Sequence, residues 1–196
     1  WQRLAEELEQ GRQGFVVCPA IDAIAAEEQS AEAEMQAAAD GASARPPAAV
    51  ETMLAELRAH PALAGRRIEP LHGRMSSEQK DATMRAFAGG EIDVLVATTV
   101  IEVGVDVPNA STMVVLDADR FGVAQLHQLR GRVGRGGVPG LALFVTHAEP
   151  ESLALERVAA VAATLDGFDL AQVDLELRRE GDVLGRAQSG GRSSLK

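Results

Sequence analysis

The sequence of 196 residues contains one cysteine, one tryptophan and no tyrosine, and aromatic residues make up only 3% of it. A lone Cys18 excludes an internal disulfide bond and a thiolate metal cage. The four histidines show no paired ligand spacing, so no metal site is expected. So few aromatic rings also argue against a surface that binds nucleic acid by stacking its bases. The composition fits a reducing cytoplasm.

Other absences limit what the chain can do by itself. No run of about 18 apolar residues is present to span a membrane, and the N-terminus lacks the basic-then-apolar order of a signal peptide. There is no GxxxxGK[ST] phosphate loop and no Asp-Glu-x-His motif. The chain starts on Trp1, inside an expected helix, so we interpret it as a piece of a longer protein. Alone, it is expected not to hydrolyse nucleotides.

The chain is acidic, with a formal net charge of -10. Lys and Arg carry most non-specific binding to nucleic acid, so the net charge argues against a basic nucleic-acid-binding module. Residues 1–69 contain 12 acidic and 6 basic residues, whereas residues 70–196 contain 17 and 13. Any contact with a polyanion is therefore expected from the later part.

Short apolar runs alternate with helical segments over most of the chain. Expected strands are 14–18, 67–73 with its turn, 93–98, 112–118 and 140–146. Expected helices are 1–10, 50–59, 77–88 and about 122–133, the third opened by a capping box of Ser76 and Gln79. This alternation predicts an α/β fold with three layers around a mostly parallel sheet.

Two regions depart from that pattern. Residues 28–46 lie in an Ala- and Glu-rich stretch and are expected to form a flexible insertion. After residue 150, helices are expected over 151–164 and 170–179, before a Gly- and Ser-rich end. We therefore expect one domain over 1–150 and a helical hairpin with an irregular loop over 151–196.

The segment QLRGRVGRGG (128–137) places three arginines and four glycines in ten positions. If the helix continues to residue 135, Arg132 and Arg135 share one side and Arg130 points away. Two adjacent guanidinium groups suit a phosphate, and an exposed turn paired with carboxylates is the equal alternative. Gly131 and Gly134 would each lower the stability of a helix by about 1 kcal/mol relative to alanine. Glycine at these positions is explained if another group approaches the backbone closely.

Two other segments reach the edge where α/β sheets usually bind ligands. Threonine hydroxyls after the strand 93–98 suit a phosphodiester, and Asp106 suits a ribose hydroxyl. An ordinary tight turn with a surface acid is the alternative. The loop LHGRM (71–75) lies at the same edge and alone indicates only a surface loop.

Four segments resemble, in this order, conserved motifs of superfamily 2 helicases. The first, GFVVCP, resembles motif IV, and LHGRM resembles the segment after it. Motif V is resembled by VLVATTVIEVGVDVPNA and motif VI by QLHQLRGRVGRGG. The similarity covers most of residues 11–146, the second motor domain of that superfamily. Residues 166–190 resemble the translocation motif that its double-stranded DNA translocases have after motif VI. There, Arg178-Arg179-Glu180-Gly181 departs from the usual Arg-Gly-Pro-Gly.

The resemblance implies a RecA-like fold and an ATP-dependent DNA helicase that reverses stalled forks and migrates Holliday junctions in repair and recombination. Arg132 and Arg135 are the implied arginine fingers for the γ-phosphate, and Arg130 is structural or faces DNA. The implied nucleotide contacts are Glu102, Gly104, Asp106 and Gln128. The implied DNA contacts are Gly73, Arg74, Thr98 and Thr99. The implied translocation residues are Arg157, Arg178 and Gln188. For Arg157 and Arg178 the alternative role is a salt bridge to an acid such as Asp174 or Asp182.

The resemblance also implies cofactors and partners. ATP and Mg²⁺ would be bound mainly by a first motor domain outside these residues. Branched double-stranded DNA, that motor domain, a DNA-wedge domain of the same polypeptide and a single-stranded DNA-binding protein are the implied partners. The protein is expected to be a monomer, off the membrane, in the bacterial cytoplasm at the nucleoid.

Two alternatives remain open at this point. The first is the same region of transcription-repair coupling factor, although VIEVGVDVP differs from the Ile-Glu-Thr-Gly-Ile version that is more frequent there. The second is a catalytically silent motor-like lobe that serves as a binding module. Intact Arg132 and Arg135 speak against a silent lobe.

Overall fold

The computed structural model describes residues 1–22, 46–98 and 107–177. The strands in this part of the chain are β1 (Gln13–Val17), β2 (Ile68–Leu71), β3 (Val94–Ala97), β4 (Ala110–Val115) and β5 (Leu141–Phe144). They form one sheet in the order β2–β3–β1–β4–β5, and every pairing in it is parallel. The carboxyl ends of all five strands therefore meet at one edge.

Helices flank the sheet on both faces. They are α1 (Gln2–Glu9), α2 (Val50–Ala59), α3 (Ser77–Ala88), α4 (Val123–Arg130), α5 (Leu153–Ala163) and α6, which runs from residue 167 to the end of the described part at 177. Two short 3-10 helices are Pro61–Leu63 and Ala118–Arg120.

Two buried apolar clusters define the layers. Leu4 and Leu8 of α1 and Leu57 of α2 pack with one face of the sheet, whereas α3, α4 and α5 pack with the other. All five residues of β1 are buried because this central strand is covered on both faces. The expected three-layer, RecA-like α/β fold with a parallel sheet is confirmed.

The two helix ends that differ most from expectation have local causes. Helix α4 ends at Arg130, three residues early, with Gly131 as its C-cap. Helix α6 begins at residue 167 rather than 170, because the Asp166 carboxylate accepts a hydrogen bond from the Phe168 N–H at 2.7 Å. The capping box of Ser76 and Gln79 is present as expected, with hydrogen bonds of 2.9 and 3.2 Å.

The hairpin helices share the core of the sheet. Val158 and Val161 of α5 and Leu170 of α6 belong to the same buried cluster as the strands. The division at residue 150 stays a prediction, and the expected insertion 28–46 lies, apart from residue 46, outside the described residues. Across the described ranges, no helix has both the length and the apolar character needed to cross a bilayer.

Glu7 connects α1 to the beginning of the sheet. Its buried carboxylate accepts hydrogen bonds from Arg12 at 2.5 Å, from Arg3 at 2.9 Å and from the Ser111 hydroxyl at 3.0 Å. The Arg12 hydrogen bond is the main cause that lowers the pKa of Glu7 below its ordinary value of 4.5, against the effect of burial. A depressed folded pKa means that the carboxylate stabilises the fold above 4.5 and that this contribution is lost as the pH falls through the folded value.

We therefore expect Glu7→Gln to lower the free energy of unfolding at neutral pH and to flatten its decline between about pH 5 and 3. Urea denaturation across this range measures both effects. The matched control is Glu9→Gln, because Glu9 is exposed on the same helix. If Glu7→Gln kept the full acid decline, the account of this carboxylate would be wrong.

Candidate functional site

The ends of β2 and β3 place two buried polar groups side by side. Leu71 and Ala97 are paired in register, so His72 and Thr98 follow directly at the carboxyl edge. Thr98 is 6% exposed, and its N–H donates to the Leu71 carbonyl at 3.3 Å. Its hydroxyl and the His72 Nδ1 are buried and have no hydrogen-bond partner among the described residues.

Unpaired buried polar atoms are unfavourable, at about 1–3 kcal/mol each, and are rare in folded proteins. Two of them lie at one edge of the described sheet, which makes this edge a candidate ligand site. Burial lowers the pKa of His72 below its ordinary 6.5, so the imidazole is neutral at pH 7. Thr98 is an expected DNA contact, whereas His72 is not among the expected contacts, because only its burial identifies it.

The loop after β2 holds the two other described DNA candidates. Gly73 is exposed with open space around its Cα, and its carbonyl accepts a hydrogen bond from Lys80 Nζ at 3.2 Å. Arg74 is half exposed and forms an ion pair with Asp22. Because exposed ion pairs are weak, a phosphate could compete with Asp22 for this guanidinium.

Six of the expected site residues lie outside the described residues: Thr99, Glu102, Gly104, Asp106, Arg178 and Gln188. Their roles stay predictions. Two others are placed on helices of the lobe. Gln128 is exposed on α4, and Arg157 is partly buried on α5.

The arginine segment is a turn and not the continuation of a helix. Since α4 ends at Arg130, the expectation that Arg132 and Arg135 share a helix face is wrong. Arg135 Nε instead donates to the Gly131 carbonyl at 2.7 Å, which closes the turn. The side chain of Arg132 is partly buried and has no hydrogen bond or ion pair with the part of the chain that the structure describes. We call residues 131–137 the arginine turn.

Glycines let this turn approach the neighbouring backbone. Gly134 has φ +79°, and a Cβ there would lie 2.5 Å from the Gly140 nitrogen. A Cβ on Gly136 would lie 2.2 Å from the Pro108 carbonyl oxygen. The Gly134 N–H also donates to the Ala110 carbonyl at 3.2 Å. The expected close approach is therefore present at Gly134, and the approaching group is the protein's own backbone.

Arg130 points away from the arginine turn, as expected. Its Nη1 donates to the backbone carbonyls of Val161 and Thr164 at 2.5 and 2.6 Å, and its Nη2 contacts His127 Nδ1 at 2.8 Å. Of the two expected roles, structural or facing DNA, these contacts fit the structural one. No sequence signal indicates carbonyls 31 and 34 residues away as its partners.

Comparisons with known proteins agree with this architecture. Residues 2–137 match the family model described as helicase conserved C-terminal domain. Over all 196 residues the chain is 52% identical to the ATP-dependent DNA helicase RecG of Mycobacterium leprae, and over 186 residues it is 42% identical to that of Bacillus subtilis. It spans about a quarter of the length of these relatives, 25% and 24%.

Solved structures give the same result. RecG bound to a three-way DNA junction matches with a TM-score of 0.62 and 34% identity, over 93% of this chain and 23% of that chain. Yeast Dbp5 bound to Gle1 and IP6 matches with a TM-score of 0.51 at 16% identity, over 91% of this chain and 42% of that chain, and this likeness shows the fold alone. The expected resemblance to a helicase motor domain is confirmed, and the chain is similar to RecG in both comparisons.

The packing of the arginine turn predicts the effect of three alanine substitutions. Gly134→Ala should destabilise the lobe by about 2 kcal/mol or more, because it combines a positive φ with a backbone clash. Gly137→Ala has the same sign of φ, +82°, in open space, so only the smaller conformational effect is expected. Gly131→Ala should be neutral, since its Cβ would make ordinary contacts of 3.4 Å.

Thermal and urea unfolding of the three variants measures the free energy of unfolding that each substitution removes. Equal losses for Gly134→Ala and Gly137→Ala would show that the contact with Gly140 contributes nothing.

Proposed function

The chain belongs to the helicase conserved C-terminal domain family, and on this premise we propose that it is the second motor lobe of an ATP-dependent double-stranded DNA translocase. The longer protein would reverse stalled forks and migrate Holliday junctions in repair and recombination. Besides branched double-stranded DNA, its partners would be a first motor domain, a DNA-wedge domain of the same polypeptide and a single-stranded DNA-binding protein. It would act as a monomer at the bacterial nucleoid.

One observation carries the proposal. Arg132 lies on a turn fixed by close backbone contacts, yet its guanidinium has no partner among the described residues. The sequence has no phosphate loop, so a nucleotide addressed by this arginine would be held by another lobe. A guanidinium is suited to phosphate oxygens and is always charged.

The donor set at this turn fits ATP with Mg²⁺. Arg132 and Arg135 would donate to the γ-phosphate oxygens during transfer, and Gln128, exposed on α4, would line the same cleft. The remaining nucleotide candidates are Glu102, Gly104 and Asp106. When bound, ATP supplies the phosphoryl group and Mg²⁺ offsets its negative charge. The lobe would contribute positive charge that stabilises the transition state without moving.

The carboxyl edge supports DNA as the second ligand. The unpaired Thr98 hydroxyl and His72 nitrogen are groups that phosphodiester oxygens or a bridging water could satisfy. Gly73 leaves open space beside them, and Arg74 adds a half-exposed charge. The RecG structure, described as bound to a three-way DNA junction, supports a branched duplex as the substrate.

Removing the unpaired guanidinium tests the nucleotide role. In the full-length protein, Arg132→Ala should reduce DNA-stimulated ATP hydrolysis by about 10³-fold or more, because a charge aimed at the transition state is lost. A coupled ATPase assay measures this rate. The control is Arg85→Ala, which removes an exposed arginine of α3 and should leave the rate unchanged. An unchanged rate in Arg132→Ala would favour the silent-lobe alternative.

The unpaired hydroxyl of Thr98 allows a second test, because its removal should weaken DNA binding without lowering the stability of the protein. Thr98→Val keeps the side-chain shape and removes a buried hydroxyl without a partner, so the protein should be as stable or more stable. Affinity for a three-way DNA junction should fall by about 2- to 12-fold, the value of one hydrogen bond.

Fluorescence anisotropy at fixed salt and a thermal melt give the two readouts. Thr83→Val in α3 is the matched control, and it should change neither. A stability loss with unchanged junction affinity would make the Thr98 hydroxyl a structural group.

A further inference from the structure

Arg74, the charged DNA candidate at the carboxyl edge, is already paired with an acid of the same lobe. Its Nη1 donates to the carboxylate of Asp22, which follows β1 in the chain. The two residues are 52 positions apart in sequence, and they meet because the sheet brings the ends of its parallel strands to one edge. The guanidinium that would contact a DNA phosphate therefore has an anionic partner before DNA arrives.

The acid is the fixed member of this pair. The first two N–H groups of α2 donate to the carbonyls of Ala20 and Ile21, at 3.0 and 3.1 Å. Ala20 also forms a parallel bridge with Ala49, the N-cap residue of α2. Only 16% of the Asp22 side chain is exposed. The backbone and the burial of its side chain thus hold the Asp22 carboxylate close to the loop after β2.

The arginine is the member that can move. The backbone of its loop is held from two sides, since Lys80 Nζ donates to the Gly73 carbonyl at 3.2 Å and the His72 N–H donates to Met75 Sδ at 3.4 Å. The Arg74 side chain, by contrast, is 50% exposed. Because an arginine side chain has many rotamers, this guanidinium can turn from the fixed carboxylate toward an anion in solvent.

The charges around this edge balance each other. Burial is the main cause that lowers the pKa of His72, and the charged groups that also act on this imidazole are Glu51, Arg74, Lys80 and Asp22. Two acids and two bases give no net positive charge, although affinity for DNA depends mainly on positive charge. Of the two acids, Asp22 is the one in direct contact with the guanidinium of Arg74.

We propose that Asp22 is a built-in competitor of the DNA backbone for Arg74, which keeps the contact of this arginine with a phosphodiester weak and short-lived. A phosphate that binds the guanidinium either displaces the carboxylate or leaves two negative charges close together. Displacement exchanges one ion pair for another and gains little, and proximity of like charges is repulsive. Both cases lower affinity below that of a lobe with a neutral residue at this position.

A weak contact suits a motor that moves along DNA, because each phosphate has to be released before the next is bound. Differences in affinity between related complexes lie mostly in the dissociation rate, so the competitor should act by speeding release. This inference rests on the proposed function of the lobe, and in particular on DNA as the ligand of the carboxyl edge.

The experiment is a double-mutant cycle in the full-length protein, with Asp22→Asn, Arg74→Ala and the combination of both. Asparagine keeps the shape of the side chain and an oxygen that accepts a hydrogen bond, so this substitution removes only the charge. Fluorescence anisotropy at fixed salt measures affinity for a three-way DNA junction. Dilution into excess unlabelled junction measures dissociation, and a thermal melt checks folding. Glu51→Gln is the matched control, because it removes an acid of the same edge that is not the one paired with Arg74.

Asp22→Asn should raise junction affinity by about 2- to 5-fold, the size of effect that one exposed ion pair has, and mainly by slowing dissociation. Arg74→Ala should lower affinity and its dependence on salt, because one phosphate contact is lost. In the Arg74→Ala background, Asp22→Asn should have no effect beyond that of Glu51→Gln. The control should change affinity by less than Asp22→Asn, and by the same factor with and without Arg74.

The proposal is overturned if Asp22→Asn leaves junction affinity unchanged or lowers it, since a loss would make Asp22 a residue that orients Arg74 for DNA. It is equally overturned if the gain persists in the Arg74→Ala background, which would show a general effect of charge. Should Asp22→Asn not fold, Asp22→Ser replaces it with the same expected outcomes.

The failure of the proposed function gives a different result. If the wild-type protein binds no junction, or if Arg74→Ala leaves its affinity unchanged, the DNA role of this edge fails and the competitor role fails with it. If Arg74→Ala weakens binding while Asp22→Asn changes nothing, the DNA role stands and the competitor role alone is overturned.

Discussion

Close backbone contacts with the beginnings of β4 and β5 fix the position of the arginine turn. Gly134 and Gly136 approach Gly140 and Pro108 so closely that neither position has room for a Cβ. The Gly134 N–H is also hydrogen-bonded to the carbonyl of Ala110, the first residue of β4. The turn is therefore part of the sheet's rigid frame, and a rigid frame is what allows a side chain to be aimed at a ligand held elsewhere.

The three arginines of this segment have three different environments within six residues. Arg130 faces inward and caps α5, Arg135 closes the turn on Gly131, and Arg132 has no partner among the described residues. This division resolves the contradiction of an arginine cluster in a chain of net charge -10. One guanidinium aimed at one phosphate needs no basic surface around it. The DNA candidates within the described residues are likewise few, and they lie at a single edge of the sheet.

Much of the fold could be predicted because it depends on local patterns. The apolar runs 14–18 and 93–98 became β1 and β3 within one residue at each end, and the capping box at Ser76 opens α3. The end of α4 could not be predicted, since Gly131 is compatible with both continuing and ending a helix. The partners of Arg130 lie 31 and 34 residues away, and such contacts arise only once α5 packs on α4. For the same reason, the unpaired state of Thr98 becomes visible only in the folded sheet.

The central claim is that Arg132 binds the phosphoryl group in the transition state of its transfer and contributes little to nucleotide affinity before or after that step. The most direct measurement is the affinity of the full-length protein, with junction DNA present, for ADP with aluminium fluoride, which mimics the transferring phosphoryl group, and for ADP alone. The account predicts that Arg132→Ala weakens binding of the mimic by about 10²-fold or more and leaves ADP binding unchanged. Equal affinity of the variant and the wild type for the mimic would contradict it.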